Sequence, residues 1–376
     1  MSAFITGTGL FVPEHVITND ELVSSYNCYV EQYNSEYSDE IKSGKREELK
    51  ESSVEFIEKA SGIRKRHVVD KDGVLDSRRM KPRIPGRENH EMSLQCEMAV
   101  AAASQALDNA RLGGEDLDMI IVACSNLERA YPAVSIEVQE RLCASGFALD
   151  MNVACSSATF AIQAASDALN NGSAQRVLVV NPEICSAHLD FRDRDSHFIF
   201  GDICTAIVLE SDESRKDSDV FEVVSTRLRT KFSSNIRNNF GFLNRCDDNL
   251  ENRKDTLFIQ EGRKVFKEVV PLVSNHILEH LYQIELAPER VRRLWLHQAN
   301  LSMNQLVAKR VWGRPANADE APVVLDHYAN TSSAGSIIAF HRYNKDLSDG
   351  ELGLLCSFGA GYSVGSVVLR KINSTL

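Results

Sequence analysis

Three residues of different chemistry stand at comparable places in this 376-residue chain, Cys155, His297 and Asn330, each at the end of an apolar run or just past it. Cys155 follows Leu149-Asp150-Met151-Asn152-Val153-Ala154 and is succeeded by small residues and the helix-periodic Phe160–Leu169. That pattern reads as a buried strand, a tight turn and a helix that begins at or just after the cysteine. A thiol there meets unpaired N–H groups and the positive end of a helix, which predicts a lowered pKa and a nucleophile. Taken singly, the three have ordinary readings as a structural cysteine, a core histidine and a turn asparagine. A cysteine and a histidine brought to one point would support covalent acyl transfer or, in a different class of enzyme, hydrolysis of an ester or amide.

The elements that must position them form a repeating pattern. Ala3–Leu10 reads as a first strand ending in glycines, residues 20–60 as exposed helices and residues 70–92 as an irregular surface insertion. A helix over Leu94–Leu107 precedes a strand over Leu117–Cys124; further strands follow at Arg176–Val180 and Gly201–Glu210. Strands alternating with helices predict an α/β protein with strands covered on both faces. The polar residues 211–219 mark a boundary, and the first half then echoes in the second. Leu294–Asn300 parallels Ile120–Asn126, Ala329–Ala334 parallels Val153–Ala158, and Gly361–Leu369 parallels Gly201–Leu209. The expectation is two duplicated α/β halves, 1–213 and 214–376, packed so that equivalent turns bring Cys155, His297 and Asn330 together.

Composition narrows the classes. With 42 Lys and Arg against 53 Asp and Glu the net charge is −11, which argues against a nucleic-acid binder. No apolar run reaches membrane-spanning length, and the first residues lack the charged and apolar regions of a signal peptide, so no membrane partner and a cytoplasmic location are expected. The nine cysteines and ten histidines show no C-x-x-C or H-E-x-x-H spacing, so neither a disulfide framework nor a metal site is expected.

Several motifs in order along the chain then carry a resemblance. Gly62-Ile63-Arg64-Lys65-Arg66-His67, Ala154-Cys155-Ser156-Ser157-Ala158, Phe200-Gly201-Asp202, His297-Gln298-Ala299-Asn300, Asn330-Thr331-Ser332 and Phe358-Gly359-Ala360-Gly361-Tyr362 span nearly its whole length. Together they resemble the β-ketoacyl-acyl-carrier-protein synthase III family of the thiolase superfamily. The resemblance implies a thiolase-like fold in five αβαβα layers. It implies a decarboxylative condensation of an acyl-coenzyme A, acetyl or medium-chain, with malonyl-acyl-carrier protein in fatty-acid biosynthesis. Cys155 would carry the acyl group, and the N–H groups of Cys155 and Ala360 would hold the oxyanion of its transfer. His297 and Asn330 would hold the enolate left when malonyl loses CO2, and Phe358 would keep the pocket dry. It further implies coenzyme A contacts at Phe56 and Arg194, and a patch for the acidic carrier protein at Lys267, Lys309 and Arg310. Tyr131 would reach the acyl pocket of a homodimer partner. Coenzyme A thioester and phosphopantetheine-bound carrier protein enter as substrates, with no permanently bound cofactor.

The chain departs from the family pattern around the mouth of that site. Phe56 replaces a tryptophan, Ala60 and Ser302 replace arginines, Ala360 replaces a glycine, and insertions lie near 28–51 and 70–92. These leave acyl-chain length open, along with the choice of coenzyme A or carrier protein as donor. The alternative within the superfamily is a starter synthase for a specialised metabolite or a two-acyl-chain Claisen enzyme. A hydroxymethylglutaryl-type synthase lacks an identifiable glutamate base here. A non-catalytic carrier-protein scaffold sits poorly with an intact Cys155, His297 and Asn330.

Overall fold

The computed structural model describes residues 2–215, 219–250 and 253–373. The first half contains β1 (Ala3–Phe11), β2 (His15–Thr18), β3 (Lys65–Val68), β4 (Met119–Ala123), β5 (Phe147–Met151), β6 (Arg176–Glu183) and β7 (Ile203–Ser211). Its helices are α1 (Asn19–Glu36), α2 (Ser38–Lys42), α3 (Val54–Ser61), α4 (Asp72–Leu75), α5 (Leu94–Ala110), α6 (Val134–Arg141) and α7 (Ser157–Asn170). The second half contains β8 (Val220–Ser233), β9 (Ile236–Arg237), β10 (Ile259–Gln260), β11 (Val291–Leu296), β12 (Leu352–Gly359) and β13 (Gly361–Ile372). Its helices are α8 (Gly262–Gln283), α9 (Leu301–Trp312), α10 (Leu325–Tyr328) and α11 (Gly335–Arg342). Residues 216–218 of the expected boundary, and Met1, lie outside the described residues.

Strand pairing repeats. The nine-stranded sheet runs β11-β12-β13-β8-β1-β7-β6-β4-β5. In the first half β4 and β6 are parallel, while β6–β7 and β7–β1 are antiparallel. In the second, β11 and β12 are parallel, while β12–β13 and β13–β8 are antiparallel. The sequence echoes fall on equivalent elements: β4 with β11, β7 with β13, and the turns that open α7 and α11. Among the described residues β5 has no counterpart, and β1 and β8 join the halves through only Phe4–Glu222 and Ile5–Phe221.

Between the halves lie α7 and α11, where Ala158, Ala161 and Ile162 share one apolar core with Trp295, Ile337 and Phe340. On the outer faces, α5 packs Ala102 and Ala106 near Leu178 and Val208, and α8 and α9 pack Val273, Ile277 and Val307 near Leu354 and Val368. The result is the layered αβαβα arrangement. Gly7 and Gly9 do not end the first strand as expected; they lie inside β1. A Cβ there would stand 2.1 Å from the Ala106 carbonyl oxygen or 2.0 Å from that of Ala102, so glycine is what lets α5 approach.

Residues 20–60 are less exposed than the sequence suggests. Thr18 and Glu21 form a capping box at the start of α1. Leu22, Tyr26 and Val30 then bury one face against Ile57, Phe191 and Phe198. Arg66, from the basic run at 64–67, is also fully buried, its guanidinium donating to the carbonyl of Phe198 and to Asn19 Oδ1. This cap roofs the mouth of the site. No described helix is long and apolar enough to cross a membrane, and no described cluster of His, Cys, Asp and Glu could hold a metal.

Candidate active site

Cys155 sits on the turn between β5 and α7, and its small neighbours hold that turn. Ser157 Oγ donates to the Ala154 carbonyl at 2.7 Å, and Ser156 Oγ donates to the Ser363 carbonyl on β13 at 3.1 Å. Ala154 has a φ of 48° and Ala329, before Asn330, a φ of 59°. Two alanines with positive φ, each just before a site residue, are local strain of a kind that clusters at functional sites.

The backbone N–H groups of Cys155 and Ala360 lie close enough to the Cys155 sulfur to favour its anion, which gives two rigid donors beside one point. Positive φ in that loop, 130°, falls on Gly361, and Ala360 keeps an angle that alanine adopts. At Gly359 a Cβ would come within 2.5 Å of the Cys155 Cβ, so the glycine there makes room for the nucleophile. Ser332 Oγ donates to the Cys155 sulfur at 3.4 Å. The thiol does not match the expected lowered pKa. Burial pushes it up to about 11, and the donors from Ser332, Ala360 and Cys155 itself only partly offset this. Loss of hydration outweighs the helix terminus.

His297 follows β11 and is 2% exposed, with its ring edge-on to Phe358 at a centroid distance of 5.1 Å. Burial lowers its pKa to about 4, so it is a neutral imidazole at ordinary pH, and its Nδ1 has no partner among the described residues. Asn330 Oδ1 accepts the Ser332 N–H at 2.9 Å, which leaves Nδ2 as the end free to donate to a ligand. Two cavities meet at Cys155. One, about 360 Å³, is lined by His297, Asn330 and Phe358 and extends toward Ala60 and Arg263. The other, about 640 Å³, is lined by Ala360, Phe200, Phe258, Phe232 and His188.

Residues expected at the periphery fall into separate groups. Arg194 stacks on Phe56 at 4.0 Å and donates to the Glu51 carbonyl at 2.7 Å, so in this structure one face of Phe56 is covered by guanidinium. Lys267 is exposed on α8, and Lys309 and Arg310 are exposed on α9, which packs against α8. Tyr131 is 85% exposed and lines neither cavity of its own chain. Sequence reading missed Arg263, Ser332 as a thiol partner, and Glu183. Ser332 lies in the Asn330-Thr331-Ser332 motif, whereas Arg263 and Glu183 carry no local signature beyond their positions at element ends.

Besides His297, burial holds His188, His197, His276, His280 and His341 near pKa 4, against an ordinary value of 6.5. The unfolded chain therefore binds more protons between those values. Stability from these groups is complete above about pH 6.5 and is lost as pH falls toward 4. Asp202, raised to about 6, acts in the opposite sense. The thermal midpoint is expected to drop steadily between pH 7 and pH 5 at fixed ionic strength; a flat or rising midpoint would contradict this account.

The five-layer fold and this cysteine site define a condensing enzyme of the thiolase superfamily. Residues 149–231 match the family described as 3-oxoacyl-[acyl-carrier-protein (ACP)] synthase III, and residues 281–371 match its C-terminal region. The chain is 57% identical over 349 residues to a β-ketodecanoyl-[acyl-carrier-protein] synthase of Pseudomonas aeruginosa, covering 93% of this chain and all of that one. It is 30% identical over 370 residues to the β-ketoacyl-[acyl-carrier-protein] synthase III of Methylococcus capsulatus, covering 97% and 98% of the two chains. The crystal structure of the Aquifex aeolicus synthase III superposes with a TM-score of 0.76 at 26% identity, covering 98% and 99%. The chain belongs to the β-ketoacyl-acyl-carrier-protein synthase III family, the acyl-transferring condensing enzymes of fatty-acid biosynthesis.

Proposed function

We propose that the protein condenses a medium-chain acyl-coenzyme A with malonyl-acyl-carrier protein, through an acyl group on Cys155, to give a β-ketoacyl-carrier protein. The Cys155 thiol attacks the donor thioester, a new C–S bond forms, and coenzyme A leaves with the proton. The malonyl unit then loses CO2; neutral donors from His297 and Asn330 stabilise the enolate oxygen. The enolate carbon attacks the acyl-cysteine, and the released Cys155 thiolate takes up a proton. A buried thiol with a raised pKa suits the last step, because the protonated form is the favoured end state.

The 57% identical relative is named for a β-ketodecanoyl product. A two-carbon extension that ends at ten carbons starts from an octanoyl donor. The larger cavity beside Cys155, walled by Phe200, Phe258 and Phe232, offers apolar volume for such a chain. The smaller cavity, lined by Ala60, Asp195 and Arg263, would receive the pantetheine arm, and Lys267, Lys309 and Arg310 would dock the carrier protein. Edge strand β5, with Phe147 47% exposed and Tyr131 nearby in sequence at 85%, suits pairing with a second copy. A cytoplasmic homodimer fits these substrates, and the halves 1–213 and 214–376 would each supply part of the site.

The test is intact-protein mass spectrometry after incubation with acyl-coenzyme A donors from acetyl to dodecanoyl. An octanoyl-centred preference for adduct formation is expected. A preference for acetyl would instead assign an initiating role, and no adduct from any donor would remove the coenzyme A reading.

A further inference from the structure

Glu183 ends β6 and is 1% exposed, and among the described residues no cation pairs with it. Donors converge on it instead. The Ser125 N–H reaches Oε1 at 3.0 Å and the Ser125 hydroxyl reaches Oε2 at 2.5 Å. The Ser333 N–H and hydroxyl reach Oε1 at 3.1 and 2.5 Å, and Cys185 Sγ lies 3.8 Å from Oε2. Burial raises the Glu183 pKa, and the hydrogen bonds from Ser125 and Ser333 oppose it by favouring the carboxylate.

Each serine belongs to a turn that carries part of the site. The Ser125 carbonyl accepts from Asn152 Nδ2 at 2.9 Å, and Asn152 Oδ1 accepts the Ala154 N–H at 3.0 Å, one residue before Cys155. Ser333 follows Ser332, whose hydroxyl donates to the Cys155 sulfur and whose N–H donates to Asn330. One side chain of the first half thus holds the nucleophile turn of its own half and the Asn330 turn of the other.

We propose that Glu183 is a positioning residue for the condensation, its carboxylate locking the Ser125 turn to the Ser333 turn and so fixing Cys155 and Asn330 at the spacing that one substrate requires. This rests on the roles proposed above for those two residues. The same carboxylate places negative charge near the Cys155 sulfur and contributes to its raised pKa. The other titratable groups that feel the Glu183 charge are Cys124, Cys185 and Cys204, with Asp150 and Asp202 acting on the same thiols.

The experiment compares wild type, Glu183→Ala and Glu183→Gln in two assays: CO2 release from malonyl-carrier protein, and the pH profile of Cys155 alkylation by iodoacetamide. Wild type without Cys155 acylation or CO2 release would remove the functional reading itself, separately from the role of Glu183. Alanine orphans both serine turns, and an ångström-scale misplacement is expected to lower CO2 release about 100-fold. Glutamine keeps an oxygen for the two N–H groups and turns its NH2 to the Ser125 hydroxyl, which can rotate to accept. It should retain condensation within about tenfold of wild type, as for loss of one charge-assisted hydrogen bond. Its alkylation midpoint should move to lower pH. A folded Glu183→Ala protein with wild-type CO2 release overturns the proposal. Should that variant not fold, a Glu183→Gln protein with an unshifted alkylation midpoint overturns it.

Discussion

Replacing Cys155 with alanine is expected to remove the acyl adduct entirely and lower condensation by at least about 10³-fold, since the variant has lost the atom that carries the acyl group. No neighbour replaces it. Ser332 is within hydrogen-bonding distance of the sulfur, but among the described residues no histidine or carboxylate hydrogen-bonds its hydroxyl to activate it. The change removes one sulfur from a half-buried turn, so the thermal midpoint should stay within a few degrees of wild type. Intact mass before and after exposure to octanoyl-coenzyme A checks both the site and the stoichiometry. An adduct that persists on the alanine protein would place the nucleophile elsewhere.

The second large effect separates the half reactions. His297→Ala should leave Cys155 acylation within about threefold of wild type while CO2 release from the malonyl thioester falls about 10²–10³-fold, the usual loss for one oxyanion donor. The basis is that, in the proposed mechanism, the oxyanion of acyl transfer would face the backbone N–H groups of Cys155 and Ala360, whereas His297 lines the smaller cavity with Phe358 and Asn330. Undiminished condensation by this variant would sink the division of labour. Asn330→Ala is a less clean probe. It also removes the acceptor of the Ser332 N–H, and Ser332 is the hydrogen-bond partner of the Cys155 sulfur, so both half reactions should slow.

Much of this was legible in the chain because the relevant signals are local and occur twice. Apolar runs ending in Cys155 and His297, small residues after the cysteine, and three ordered echoes point to paired turns, and the strand pairings of the two halves repeat accordingly, although the Asn330 turn follows helix α10 and not a strand. What stayed hidden depends on packing. The β5 run reads as a buried strand, but it lies at the sheet edge and is half exposed, a property of its neighbours and not of its residues. The expected thiolate failed for a related reason: a helix start can be read from sequence, whereas loss of water around Cys155 requires β13 and the Gly359–Ala360 loop to close over it. Glu183 is a single acid at a strand end, and only the meeting of two turns from opposite halves gives it partners.

The raised pKa of the Cys155 thiol also bears on its chemical durability. Peroxide attacks the thiolate, the form from which the ladder of sulfenic, sulfinic and sulfonic acids begins. A sulfur held protonated near neutral pH, with its anion disfavoured by burial and by the neighbouring Glu183 charge, offers little of that form between turnovers. The environment that disfavours the thiolate before a thioester arrives is therefore expected to slow peroxide oxidation of the same sulfur as well.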